Sequence, residues 1–192
     1  MSKGSHNFID DTKLWQRLIN GEKDIIEIFY RKYYDLLLNY GLKCCPDKEL
    51  VKDCIQDIFV KMHKSSQLQP TEYVRAYLMK SLRNLIADKL AQVKRKTNID
   101  DLLFCLETDD ESLSRLFEKN DKDIQLSRQL LEMYNKLPKN QRIIIYLRYI
   151  KGLSHKEIAE IMDINRQSSM NLINRALESM RKHFSKIITF FL

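Results

Sequence analysis

The sequence predicts an all-α protein: two small helical domains joined by an acidic linker, the C-terminal one a helix-turn-helix domain. Three observations point there. Only 4 Gly and 3 Pro occur in 192 residues, too few for a turn-rich sheet protein. Apolar residues, within a hydrophobic content of 44%, recur at helical spacing and not in alternation. The charge is segregated: 18 basic against 12 acidic residues over 1–97, 3 against 9 over 98–126, and 12 against 5 over 127–192. Two basic blocks around an acidic bridge suggest two surfaces that meet a polyanion.

The first domain, 1–97, divides into helices. Residues 8–40 place Phe8, Trp15, Leu18, Ile19, Ile25, Ile28 and Phe29 at helical spacing. Asn20-Gly21 breaks that run, and Asp24 is positioned to cap the second helix. Cys45-Pro46 is the next break. A helix over 48–64 buries Val51, Cys54, Ile55, Ile58, Phe59 and Met62. Its other side then carries Asp53, Gln56, Asp57 and Val60, which fall on one line at i, i+3, i+4 and i+7. Ser65 to Pro70 reads as a polar hinge. Thr71 can cap a helix that continues to about Lys96, with room for one bend. The segment 98–126 opens with six acidic and no basic residues up to Glu111 and reads as a linker.

The second domain, 127–192, has a helix ending at Leu137-Pro138. A helix over 139–150 follows, closed by Gly152 in a left-handed cap. Ser154-His155-Lys156-Glu157 is a capping box. The short helix it starts buries Ile158, Ala159, Ile161 and Met162. Asp163-Ile164-Asn165 is a turn in which Ile164 drops into the core and Asn165 caps the next helix. That helix buries Leu172, Ile173, Ala176, Leu177 and Met180. A short helix, a three-residue turn and a longer helix with a polar leading end make a helix-turn-helix pattern. Arg166, Gln167, Met170 and Asn171 lie on the protruding face. Arg, Gln and Asn can each pair with purine edges in a major groove, and Arg148, Arg175, Arg181 and Lys182 supply phosphate contacts around them.

Other functions find less support. Cys44, Cys45, Cys54 and Cys105 contain no C-x-x-C pair, and with His63 they make a poor zinc spacing. His6, His63, His155 and His183 are scattered and no Gly-rich phosphate loop occurs, so neither catalysis nor a cofactor is expected. The leading MSKGSHNFIDD lacks an apolar core and no stretch approaches the length of a membrane span. A cytoplasmic protein with reduced thiols, not inserted in a membrane, is the expectation.

Three stretches resemble one family, in order. LPKNQRIIIYLRYIKGLSHKEIAEIMDINRQSSMNLINRALESMRK (137–182) resembles the promoter-binding C-terminal domain of bacterial sigma factors. KDCIQDIFVKMHK (52–64) resembles their polymerase-binding helix, and YVRAYLMKSLRNLIADKLAQVKRK (73–96) resembles the helices that melt and read the −10 element. Two such domains joined directly are similar to the extracytoplasmic-function group of the sigma-70 family. The wording QSSMNLINRAL is similar to Bacteroides-like versions.

The resemblance implies a transcription initiation factor, not an enzyme, and it implies roles. The line Asp53, Gln56, Asp57 and Val60 would grip the clamp helices of the largest subunit of core RNA polymerase. Part of helix 139–150 would hold the flap of the second-largest subunit. Tyr73, Tyr77, Lys80, Arg83, Asn84, Lys94 and Arg95 would serve the −10 DNA, with Asn84 receiving an extruded base and Tyr77 equally able to be core packing. Asp88 reads as a structural hydrogen-bonder kept off the DNA. Arg148, Arg166, Gln167, Met170, Asn171, Asn174 and Arg175 would meet the −35 element. Met170 departs from the basic residue many relatives carry there, so the −35 preference need not transfer. An anti-sigma factor is an expected partner. A polymerase-independent helix-turn-helix regulator and a sigma-like interaction decoy remain as alternatives.

Overall fold

The computed structural model describes residues 10–65, 68–96 and 129–191, the side chains of 93–96, Lys139 and 183–191 excepted. The proposed linker 98–126, Phe8, His6 and Cys105 lie outside the described residues. Every regular element described is helical. The chain clusters into two compact units, Met1–Leu103 and Phe104–Leu192.

In the first unit, α1 (Asp11–Ile19) starts where the Asp10 carboxylate accepts from Thr12 N–H, and it ends at Asn20. Gly21 supplies the left-handed turn, at φ 101°, which an L side chain rarely adopts. α2 (Ile25–Cys44) follows. Asp24 stands at its N-cap but makes no side-chain cap bond, contrary to the sequence reading. Its backbone is already helical, at φ −59° and ψ −27°, whereas a capping side chain needs extended backbone to fold back. α3 (Lys48–Lys64) is capped instead by Asp47, whose carboxylate accepts from Glu49 and Leu50 N–H. Its six buried residues are the predicted stripe. Thr71 Oγ1 accepts from Tyr73 N–H at 3.0 Å, just ahead of α4. α4 (Val74–Lys96) is a single helix of 23 residues.

These helices bury Leu14, Trp15, Phe29, Leu37, Ile55, Met62, Leu78, Met79 and Leu82 almost completely. Each such side chain contributes roughly 1.5–3 kcal/mol on burial. Trp15 organises one end. Its ring meets Phe29 and Tyr77 edge-on, at centroid distances of 5.8 and 4.9 Å. Its indole N–H donates to the Gln69 carbonyl at 2.9 Å, which ties the connector after α3 to α1. Lys23 ties it again, donating to the Ser65 carbonyl at 2.9 Å. At the other end, α2 meets α3 and α4 at Gly41, where a Cβ would lie 2.4 Å from Val51 Cγ1 and 3.2 Å from Leu82 Cδ2. Cys44, Cys45 and Cys54 are buried thiols, and burial pushes the Cys54 thiol above its ordinary value.

The second unit is helical over 129–135 (α5) and again over Lys139–Ile145 (α6). The expected α-helix to Ile150 changes at Tyr146–Ile150 into a turn of π-helix. Lys151 N–H reaches back to the Tyr146 carbonyl at 3.1 Å. This wider turn keeps Tyr146 and Leu147 buried while Tyr149 is 54% exposed. Gly152 adopts φ 65°, as its place predicts. α7 (His155–Met162) begins with both halves of the Ser154–Glu157 capping box formed. Asp163, at φ 57°, ends it in the left-handed region. Asn165 Oδ1 accepts from Ser168 N–H at 2.7 Å to start α8 (Arg166–Phe191). Ile158, Ala159, Ile161, Ile173 and Ala176 are buried. Met162, Ile164, Leu172, Leu177 and Met180, expected in the core, are half-buried. Leu177 and Met180 pack on a small cluster of Tyr134, Leu137, Ile145 and Ala176, and a two-helix pair leaves such outer positions partly open.

Candidate functional site

α3 presents the first candidate face. Because its buried stripe is fixed against α2 and α4, Asp53, Gln56 and Val60 are left exposed. Val60, an apolar residue, is 41% exposed. Asp57 is only half-exposed, and its carboxylate accepts an ion pair from Lys89 of α4 at 2.8 Å. That bond holds the Lys89 ammonium above its ordinary value. The sequence reading missed this pair, since two residues 32 positions apart meet only through packing. It also missed Tyr30 of α2. That exposed ring stands edge-on to Phe59 at 5.1 Å and beside Tyr34 at 5.2 Å, which widens the apolar part of the face. Tyr30 and Tyr34 at i, i+4 were the available signal.

The second face is a groove of about 430 Å³ between α3, the connector after it, and α4. On α4, Tyr77, Ser81, Asn84, Leu85 and Asp88 line it, a spacing that keeps one face of a helix in view. Ile58, Met62 and Leu68 supply apolar wall, and Lys61 and Gln69 polar rim. Tyr77 is half-buried; it packs edge-on against Trp15 and also lines the groove. Asn84 is exposed in it. Asp88 is exposed there too. Lys80, half-buried, shares the α4 face of Tyr77 and Asn84, Arg83 sits about a quarter turn away, and Tyr73, half-buried, stands just ahead of α4. Lys94 and Arg95 fall on the last turn of α4, where the side chains lie outside the described residues.

The third face is the leading end of α8. Arg166, Gln167, Asn171, Asn174 and Arg175 are all exposed, and Met170 is half-buried. Gln167 Nε2 donates to Asn171 Oδ1 at 3.1 Å, which aligns the two amides. Arg148 is half-buried, its guanidinium donating to the Leu153 carbonyl at 2.8 Å, so it closes the turn before α7. Ser169 is fully buried with its hydroxyl 3.5 Å from His155 Nδ1. Burial, and then Arg148 and Arg166, hold the His155 imidazole below its ordinary value. Neither Ser169 nor His155 was legible as a site residue; a buried serine has no periodic signature apart from standing where an apolar residue would.

These faces have counterparts in known proteins. Residues 29–96 match the model of Sigma-70 region 2 and residues 127–180 that of Sigma-70, region 4. The chain belongs to the sigma-70 family. As a sigma factor it is a transcription initiation factor that directs RNA polymerase to promoters. Among curated relatives, the ECF RNA polymerase sigma factor SigM of Bacillus subtilis (strain 168) is 23% identical over 84% of this chain and 96% of its own. The RNA polymerase sigma factor YlaC of the same organism is 26% identical over 85% of this chain and 94% of its own. The likeness to the first supports placing this sigma factor with the extracytoplasmic-function group. The solved structure of CnrH in complex with the cytosolic domain of CnrY shares the fold, with a TM-score of 0.58 at 20% identity, covering 92% of this chain and 98% of that one. A free-standing helix-turn-helix regulator would leave the region 2 match unexplained. No helix among the described residues is long and apolar enough to cross a membrane.

Proposed function

We propose that the N-terminal domain, 1–97, docks on core RNA polymerase and opens the −10 DNA, while the C-terminal domain, 127–192, docks at the −35 element. The observation that carries this reading is the groove that gathers Tyr77 and Asn84 beside the exposed α3 face. A base drawn from a duplex needs a flat surface to rest on and a side chain that both donates and accepts hydrogen bonds. Tyr77 and Asn84 offer those. Opening is driven by that binding energy, without a nucleotide cofactor. Asp53, Gln56, Asp57 and Val60 contact the clamp helices of the largest subunit: an acidic line with one apolar anchor suits a basic helical partner. Lys80, Arg83, Lys94 and Arg95 hold phosphates of the −10 strand, and Tyr73 flanks the entry. Gln167, Asn171 and Asn174 read −35 base edges, Met170 touches a thymine methyl, and Arg166 and Arg175 hold phosphates. Arg148 acts by shaping the turn that presents them.

The acidic segment 98–126 spans between the two elements and, being repelled by DNA, occupies the path of the nascent RNA. The α6 helix holds the polymerase flap. The protein works in the cytoplasm, belongs to a Bacteroides-like branch, and is held inactive by an anti-sigma factor. The neighbour CnrH was solved with a protein bound to it, which supports a regulator that covers these faces. Transcription in vitro with core polymerase tests the reading. Asn84→Ala should lower open-complex formation about tenfold while holoenzyme assembly is unchanged. Equal activity of the Asn84→Ala holoenzyme on every responsive promoter would overturn the role of the groove.

A further inference from the structure

We propose that the Asp57–Lys89 pair is a latch that core polymerase opens: docking takes over the Asp57 carboxylate and hands the Lys89 ammonium to the phosphates of the −10 strand. This coupling rests on the reading of α3 as the polymerase face and α4 as the −10 face, and goes on to how one acts on the other.

The pair joins the two faces. Asp57 belongs to the α3 line and Lys89 to α4, with Lys89 Nζ 2.8 Å from Asp57 Oδ2. Neither side chain is sealed in the core: Asp57 is 46% exposed and Lys89 32%. The Asp57 bond, and less strongly Asp53, hold the ammonium above its ordinary value. Both carboxylates of the docking line therefore act on this one cation. Leu85, one turn before Lys89 on α4, lines the groove. The lysine stem starts beside the groove while its charge is drawn away to α3. In the free factor Asp57 and Lys89 screen each other, so each face presents less charge than its sequence carries.

Docking reverses the balance. A half-exposed ion pair is weak, because water competes with it and both side chains lose freedom. A charge pair closed off from water between two proteins couples more strongly. A basic helical partner laid against Asp53, Gln56 and Val60 thus displaces Lys89 from Asp57. The ammonium is a compact charge on a flexible four-carbon stem. Repelled by the partner's cation, it swings toward the DNA backbone running along the groove. Such coupling is reciprocal: −10 DNA that holds Lys89 leaves Asp57 open and tightens the grip on polymerase.

The test uses the full chain, alone and with core polymerase, and a single-stranded −10 oligonucleotide. For the factor alone, Asp57→Asn keeps the shape, drops the charge and should strengthen oligonucleotide binding about two- to fivefold. Lys89→Met by itself should leave that binding unchanged, and added to Asp57→Asn it should cancel the gain. In the holoenzyme, Lys89→Met should lower the salt slope of oligonucleotide binding by about 0.7, one phosphate contact on a single strand. Without DNA, core polymerase should bind Lys89→Met at least as tightly as the wild type. A holoenzyme slope untouched by Lys89→Met overturns the latch. Weaker assembly of Lys89→Met with core polymerase overturns it too, since the lysine would then be a support for Asp57. If Asp53→Lys leaves assembly unchanged, the polymerase reading of α3 has failed first. If Asp53→Lys weakens assembly and the Lys89→Met slope stays at the wild-type value, only the latch has failed.

Discussion

Single residues decide how the recognition end of α8 is presented. Ser154 accepts from Glu157 N–H at 3.3 Å and Glu157 answers through Ser154 N–H at 2.8 Å, so α7 starts at a fixed residue. Ser154→Ala should lower the stability of the C-terminal unit by about 1 kcal/mol, read as a shifted midpoint in urea unfolding. His155 gives the same unit a pH dependence. Its imidazole is held below the ordinary value by burial, then by Arg148 and Arg166, so the unfolded chain takes up the proton more readily than the folded one. Stability is therefore full above the unfolded histidine range, near pH 6.5, and falls as pH drops below it. His155→Gln should flatten that slope between about pH 7 and 5 in thermal unfolding. A wild-type unit whose stability rises on acidification across that window would contradict the placement of His155.

At the level of elements, close approach and wide turns do what residue spacing cannot. α2, α3 and α4 converge at Gly41, with Val51 Cγ1 only 2.4 Å from where a Cβ would stand. Val51 is fully buried and branched at Cβ, so it has little room to rotate away. Gly41→Ala removes a helix-breaking residue, worth up to about 1 kcal/mol in favour of α2, but overpacking costs about 1–3 kcal/mol. The crowding term wins. The expected outcome is a Tm lower by about 4–8 °C per kcal/mol lost, with polymerase binding retained at low temperature. The π-turn at Tyr146–Ile150 likewise sets where Arg148 and Tyr149 emerge ahead of α7.

For the whole molecule, charge distribution separates the jobs. The Asp53–Gln56–Val60 line on α3 is exposed, so its charge can be reversed without disturbing packing. Asp53→Lys should weaken holoenzyme assembly about tenfold, of the size seen for charge pairs at protein interfaces, in a titration of labelled factor with core polymerase. Its circular dichroism should be unchanged. Asp57→Lys is the less clean variant because it also breaks the Lys89 pair. Promoter binding by the holoenzyme should weaken steeply with salt, since both basic blocks release counterions. Neutralising Arg166 and Arg175 together should lower that slope by about two, while Gln167→Ala should lower affinity only on promoters with the cognate −35 bases.

The helical class, the boundaries of α3, the six-residue stripe it buries, the capping box and the helix-turn-helix are all legible in the order of residues. All of these are local: spacing of 3.6 residues, a cap within three positions, a glycine at a left-handed turn. The resemblance of 73–96 to helices that read the −10 element also marked Tyr77 and Asn84. The features that had to await packing involve partners distant in the chain. The Asp57–Lys89 pair, the Trp15 bond to Gln69, the contact of Gly41 with Val51 and the burial of Ser169 against α7 each need two segments brought together. The groove that Asp88 lines needs α3 and α4 together for the same reason. A helical pattern states which way a residue points, and packing alone states what stands opposite.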